Sequence, residues 1–361
     1  MKFTSELIYF WFSIVEGLGA KRRAELIKAA GDISEIAADF PKRAAYYSAI
    51  LGADLYKRAY HALDYTYLRR ELDAILSEDV GIITPASGKY SENLLNIYDC
   101  PPVLFYKGDL ALLKTKCVAV VGTRTPSAYG ERITGKFTEV LSRAGLTIVS
   151  GLATGIDTFA HNKALECGGQ TIAILGSGLK KITPAGNLNL ARKIMETGLI
   201  ITEYKPYFTG ATYAFPQRNR IISGISDAVV VPEAGAGSGA LITADFALEQ
   251  GRQLFVLPGN ADSEKSQGAL SLIRKGQCAM VYKPEQILEE LNINIKNTGK
   301  SSSLQLDFNE SKILDLLETS ELNYDSISES VEMSIGDLSN LLTLMEMKGL
   351  INKRGGLYYK A

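Results

Sequence analysis

The stretch AFPQRNRIISG, residues 214–224, sets Arg218 and Arg220 on either side of Asn219, with Phe215 just upstream. A guanidinium is a planar fork of N–H donors that suits the oxygens of a phosphate. A phenyl ring gives a base a face to stack on, and a carboxamide both donates and accepts. Burying two unpaired guanidinium groups is costly, so Arg218 and Arg220 are not both expected to point into the core. Arginines with an aromatic neighbour are what a flexible polyanion such as single-stranded nucleic acid requires. Phe215 reads either as that stacking surface or as core.

Further cations sit in glycine-rich turns. In VAVVGTRTPSAYGERI, Gly122 ends a strand and the turn leads into a helix whose free N–H groups favour an anion. Arg124 there either forks onto a phosphate or pairs within the fold. The turn is not GxGxxG and no acid is placed for a ribose, so a dinucleotide is not indicated. SGLATGIDTFAH (150–161) and GSGLKKITPAGN (176–187) are similar turns, with Thr154 and Asn187 as expected helix caps. Lys180 and Lys181 stand at a helix start, which ordinarily favours acids; they suit an external anion or are solvated loop lysines. His161 has no nucleophile or carboxylate partner in sequence and is expected to be buried and hydrogen-bonded. A fourth glycine-rich turn opens PEAGAGSGALITADFALEQGR (232–252), with Ser238 and Thr243 placed either to cap the helix or to support the turn. It lacks the PGGxGTxxE pattern of the nucleoside-monophosphate phosphoribohydrolases, and Glu233 stands in a different frame. Two histidines and four cysteines without CxxC spacing suggest no metal site and a reducing cytoplasm. No catalytic residue and no cofactor are indicated.

These residues need a scaffold. KCVAVVGTR, LTIVSGL, QTIAILGSG, GLIITEY, DAVVVPEAG, QLFVLPGN and CAMVY are apolar strand runs separated by helical patterns. Such runs belong to a parallel, doubly wound sheet covered on both faces, whose ligands lie beyond the carboxyl ends of its strands. This domain is expected over about residues 80–292. Residues 1–75 read as a small helical domain around GLGAKRRAELIKAAG, a helix-hairpin-helix pattern whose turn is either structural or a phosphate contact. Ser-rich 297–305 reads as a linker. Residues 306–361 read as three helices and two strands joined at Gly355-Gly356, the pattern of a winged helix. The 361 residues carry a net charge of −1, but 110–283 holds 19 bases against 12 acids and 301–361 holds 5 against 10. An anionic partner is therefore expected at the middle. The acidic tail helix SIGDLSNLLTLMEMKG, with Asp337, Glu346 and Lys348, suits protein contacts better than a DNA groove. Glu6 and Glu16 break the apolar start, so no leader is expected, and no run of apolar residues is long enough for a membrane span.

Taken in order, VAVVGTR, VSGLATGIDTFAH, TIAILGSGL, FPQRNRIISG, SGALITADFALEQGR and VLPGN resemble the motifs of the DNA-processing protein A family, also called DprA or Smf. The resemblance covers about 80–290, and the helical head and winged tail are similar to the family's layout. It implies an α/β fold with an extended Rossmann-like, doubly wound, mostly parallel sheet. A helix-hairpin-helix or SAM-like head would precede it and a winged helix follow. It also implies a non-enzymatic protein that binds single-stranded DNA without sequence preference, protects the incoming strand and loads the RecA recombinase during natural transformation. Homodimers would form through the sheet domain. By position, Arg124, Lys181, Phe215, Arg218, Asn219 and Arg220 match the family's nucleic-acid-binding positions, joined by Gly122 and Lys180 from the turns. Lys180 stands where the family usually has aspartate, Thr183 where it has an aromatic, and Pro232 where it has an aliphatic residue. Loss of the aromatic removes a stacking surface worth about 1–3 kcal/mol per base.

Overall fold

The computed structural model describes residues 3–293, 307–317, 322–331, 333–347, 349–354 and 356–360. The expected linker 297–305, Lys348 and Gly355 lie outside them. Residues 1–295 form one compact unit and 296–361 another.

The head consists of α1 (Ser5–Ile14), α2 (Ala20–Ala30), α3 (Ile36–Asp39), α4 (Ala44–Leu51), α5 (Ala53–Ala62) and α6 (Tyr65–Leu76). Thr4 and Asp64 cap α1 and α6, each accepting from a first-turn N–H. Between α1 and α2, Gly17 takes φ 87°, a conformation that L side chains rarely adopt. Phe10, Trp11, Phe12 and Phe40 are fully buried, and the Trp11 indole donates to Ala59 O at 2.9 Å. Each such phenyl ring contributes about 1.5–3 kcal/mol by leaving water. This cluster is continuous with Val103, Phe105, Leu190 and Ile194, so the head shares one core with a face of the sheet.

The sheet begins with β1 (Gly81–Ile83), the short α7 (Glu92–Leu95) and β2 (Leu104–Gly108). The alternation that follows is β3 (Cys117–Val120), α8 (Ala128–Arg143), β4 (Thr147–Ser150), α9 (Ile156–Glu166), β5 (Thr171–Ile174), α10 (Leu188–Thr197) and β6 (Leu199–Thr202). It continues through α11 (Ala214–Ile225), β7 (Ala228–Val231), α12 (Ala240–Glu249), β8 (Gln253–Val256), α13 (Gln267–Arg274), β9 (Ala279–Met280) and α14 (Pro284–Glu290). The nine strands lie in the order β1-β2-β6-β5-β4-β3-β7-β8-β9. β3 to β9 pair in parallel, whereas β2 pairs antiparallel with both β6 and β1. β3 to β7 are buried at every position because helices cover both faces. Successive residues alternate between two cores: Ala119, Val149 and Ile172 face one, and Val118, Val120 and Ile148 the other. The chain lays β4, β5 and β6 to one side of β3, then returns to place β7 on the other side. That reversal is the topological switch point, where loops diverge and leave a crevice at the strand ends.

The second unit holds α15 (Phe308–Leu316), β10 (Leu322–Asn323), α16 (Tyr324–Ser330), α17 (Ile335–Met347), β11 (Ile351–Arg354) and β12 (Leu357–Lys360). Leu338, Leu342 and Met345 turn one side of α17 into a core with Ile313 and Leu317. The β11–β12 hairpin is paired from Ile351↔Lys360 to Arg354↔Leu357, and Gly356 takes φ 85° in its turn. A third strand, β10, pairs with β12, one more than the sequence pattern indicates.

Candidate nucleic-acid interface

A cavity of about 540 Å³ lies at the switch point, at the carboxyl ends of β3, β4 and β7. Gly122, Thr123, Arg124 and Thr125 form one wall, Ala153 and Asp157 the floor side, and Phe215, Arg218, Asn219 and Ile222 of α11 another. The Gly235–Gly239 turn and Ile242 and Thr243 of α12 close it. The first wall is clamped by backbone bonds, from Thr123 N to Glu233 O at 2.9 Å and from Ile156 N to Thr123 O at 3.1 Å. A Cβ on Gly122 would meet Glu233 O at 2.7 Å, which is why only glycine fits. Gly155 takes φ 81° where the chain turns into α9.

The N-terminus of α8 is not open to an external anion. Ser127 caps it through Gly130 N at 3.1 Å, and Glu233 accepts from Ser127 N at 2.8 Å and Ser127 Oγ at 2.5 Å. A carboxylate of the chain itself thus occupies the place that the turn offers to a ligand. Of the two expected caps, Thr154 gives way to Gly155, which begins α9, whereas Asn187 does stand at the N-cap position of α10 but makes no side-chain cap bond there. Its amide instead donates to Leu152 O at 2.9 Å and Thr158 Oγ1 at 2.8 Å, tying two loops of the rim together.

Arg218 and Arg220 are both turned inward, 5% and 9% exposed, contrary to the expectation from the cost of burial. Each is compensated where it lies. Nη1 of Arg218 donates to Gly151 O at 2.6 Å and also to Ile174 O, and its Nε donates to Asn219 Oδ1 at 3.2 Å. Asp157 stands nearby, its Oδ2 accepting from Gly151 N at 3.0 Å and Ala153 N at 3.3 Å. Burial pushes the Asp157 carboxyl up, against the pull of Arg218. Burial likewise lowers the Arg218 guanidinium to about 10, and nearby Arg124 acts in the same direction. Arg218 stays charged at neutral pH and contributes a fixed positive field from beneath the cavity. Arg124 is exposed and makes no hydrogen bond or ion pair among the described residues.

Phe215 is half-buried over Gly176, where a Cβ would lie 2.7 Å from its ring. Asn219 donates to Gly239 O at 3.3 Å, joining α11 to the last turn of the wall. Arg220 leaves the site: residues two apart on a helix are about 200° around its axis, so 218 and 220 face opposite sides. Lys180 also lies outside the cavity walls, its Nζ 3.1 Å from Glu78 Oε2. Lys181 is exposed on the same β5–α10 loop and is not among the walls. His161 is fully buried, as expected, with Nδ1 2.7 Å from Thr171 Oγ1. Sequence reasoning missed Asp157; its signal was a lone acid in the first turn after a run of small residues.

The fold and site define a class: a doubly wound sheet protein with a cationic, aromatic-flanked cavity at its switch point. The sequence model described as DNA recombination-mediator protein A matches residues 81–292, and that of the DprA winged helix domain matches 300–356. The chain belongs to the DNA recombination-mediator protein A (DprA/Smf) family. It is 40% identical to Bacillus subtilis DNA processing protein DprA over 228 residues, 63% of this chain and 76% of that one. It is 34% identical to Synechocystis Smf over 315 residues, 77% and 79% of the two chains. The Streptococcus pneumoniae DprA crystal structure superposes with TM-score 0.68 at 34% identity, covering 80% of this chain and 99% of that one. Helicobacter pylori DprA, described for its single-stranded DNA binding mode, superposes with TM-score 0.54 at 31% identity over 59% of this chain and 95% of that one. No described helix is long and apolar enough to cross a membrane.

Proposed function

We propose that this chain is a non-enzymatic single-stranded DNA-binding mediator of recombination. In this reading it shields incoming single strands in the cytoplasm during natural transformation and hands them to the RecA recombinase. It works as a homodimer joined through the sheet domain. The observation that carries the reading is the pairing of two arginines at a cavity also walled by Phe215 and Asn219. Arg124 is exposed and without a partner among the described residues, and Arg218 holds a buried charge beside it. A phosphate bridging toward Arg124 would relieve the repulsion between the two guanidinium groups, and Phe215 would hold the attached base. The likeness to the Helicobacter pylori protein, whose single-stranded DNA binding mode is described, supports the same reading.

Fluorescence anisotropy with labelled oligo-dT across a salt series tests it. Arg124→Ala is expected to weaken binding about tenfold or more, as removal of a charge-assisted bond does. The slope of log K against log salt should flatten by about 0.7, the signature of one fewer phosphate neutralised on a single strand. Binding of mononucleotides as tight as that of long oligomers would refute the reading.

A further inference from the structure

Helix α11 serves two cavities. Phe215, Arg218, Asn219 and Ile222 line the switch-point site, whereas Gln217 and Arg220 line a second cleft of about 1230 Å³ between the sheet and the α1–α2 hairpin of the head. In that cleft Arg220 engages two carboxylates. Its Nη2 donates to Glu203 Oε2 and its Nε lies 3.4 Å from Asp99 Oδ2. Asp99 uses its other oxygen to accept from Arg23 Nη2 at 2.9 Å. Arg23, in the first turn of α2, also donates to Leu18 O at 3.0 Å and Cys100 O at 3.1 Å. A chain of alternating charge therefore runs from the hairpin of the head through Asp99 and Arg220 to Glu203, just past the end of β6.

Arg220 is the member of this chain that sits on α11, two residues from Arg218. Its Nη2 and Nε are committed to carboxylates on the far side of the helix from the DNA cavity, while Nη1 is buried with no hydrogen-bond partner among the described residues. Burial pushes the Glu203 carboxyl up and Arg220 opposes this, so the two depend on one another. No described residue of the head walls the switch-point cavity, yet Arg23 reaches α11 through a single intervening carboxylate.

We infer that Arg220 is a positioning residue and not a strand contact: the Arg23–Asp99–Arg220–Glu203 chain holds α11 so that Phe215, Arg218 and Asn219 stand correctly, and the helical head thereby sets the affinity of a cavity it does not touch. The inference rests on the single-strand reading above and assigns Arg220 a role that the family resemblance does not.

Asp99→Asn in the full chain is a test in which the sign decides. Asp99 is half exposed and the substitution keeps its shape; Arg220 retains Glu203 as an ion-pair partner and Arg23 retains the carbonyls of Leu18 and Cys100. Removing an acid would by charge alone tighten the grip on a polyanion. A positioning role requires the opposite, a loss of oligo-dT affinity of about threefold or more. Unchanged or tighter binding overturns the inference. The double variant Glu203→Gln with Arg220→Gln conserves net charge and removes both buried ions together. It should weaken binding while the salt slope stays as in the parent chain; a slope flatter by about 0.7 would show that Arg220 touches phosphate and overturn the inference. Arg124→Ala in the same titrations separates the two levels. If its slope does not change, the single-strand reading fails and takes the inference with it. If Arg124→Ala behaves as expected and Asp99→Asn does not, only the inference fails.

Discussion

At the scale of single residues, His161 shows how tertiary burial decides chemistry that its type leaves open. The Thr171 hydroxyl donates its one proton to Ile148 O at 2.8 Å, so toward His161 Nδ1 it can only accept. The ring is therefore the Nδ1–H tautomer, and Nε2 is a buried lone pair with no partner among the described residues. Burial first, and the Arg218 charge second, hold its pKa down to about 3. A depressed pKa means that the unfolded chain takes up a proton the folded chain refuses. The stabilisation is complete above pH 6.5 and is lost as pH falls from there toward 3. Unfolding titrations of the parent chain should lose on the order of 1 kcal/mol per pH unit from this group as pH falls from about 6 to 4. In His161→Gln that component disappears, and the acid limb becomes shallower by the same amount. An identical limb in both proteins would mean that the folded state binds the proton.

Elements act through where their ends meet. The end of β4 and the face of α11 approach so closely that a Cβ on Gly151 would stand 2.7 Å from three guanidinium atoms of Arg218. Arg218 has no room to retreat, since its Nη1 is bonded between the ends of β4 and β5. Gly151→Ala is expected to dislodge the guanidinium, costing about 1–3 kcal/mol of stability. Single-strand affinity should fall about tenfold in anisotropy. Gly88→Ala, where nothing lies within 4 Å, is the matched control and should bind as the parent does. Equal affinities of the two variants would show that Arg218 contributes nothing to the strand. The same packing explains the switch-point cavity: small residues at 151, 153, 176 and 235 let loops and α11 come within bonding distance of the strand ends.

For the whole molecule the uneven charge matters more than its sum. The sheet domain carries the excess of bases, and the second unit carries an excess of acids, with Asp337 and Glu346 exposed on α17 beside Ile335 and Leu344. A recognition-type helix of that composition repels phosphates, which dominate the affinity of DNA contacts. Because residues 1–295 have a core of their own, a chain ending at residue 300 should fold and keep oligo-dT affinity within about twofold of the full chain. Disappearance of most of the affinity on that truncation would assign the second unit a direct part in DNA binding.

Much of this protein is legible from one sequence. The sheet is encoded in apolar strand runs such as AVVV at 228–231, whose two covered faces leave no polar phase, and in the glycines that end them. Six ordered motifs mark the family, and Arg124, Phe215, Arg218 and Asn219 are legible because their types and turns are local signals. Arg220 and Lys180 were not legible as ion-paired residues, because Glu203, Asp99 and Glu78 reach them only after the chain folds. Glu233 likewise takes the end of α8 from the neighbouring strand, and Asp157 meets Arg218 across the rim. Periodicity and turn chemistry act over a few residues, so the sequence by itself determined which elements form and where their ends carry charge. Coulomb attraction in a buried, low-dielectric setting acts between groups far apart in sequence. Only the tertiary structure could therefore decide which arginine lines the switch-point cavity and which is held by a carboxylate.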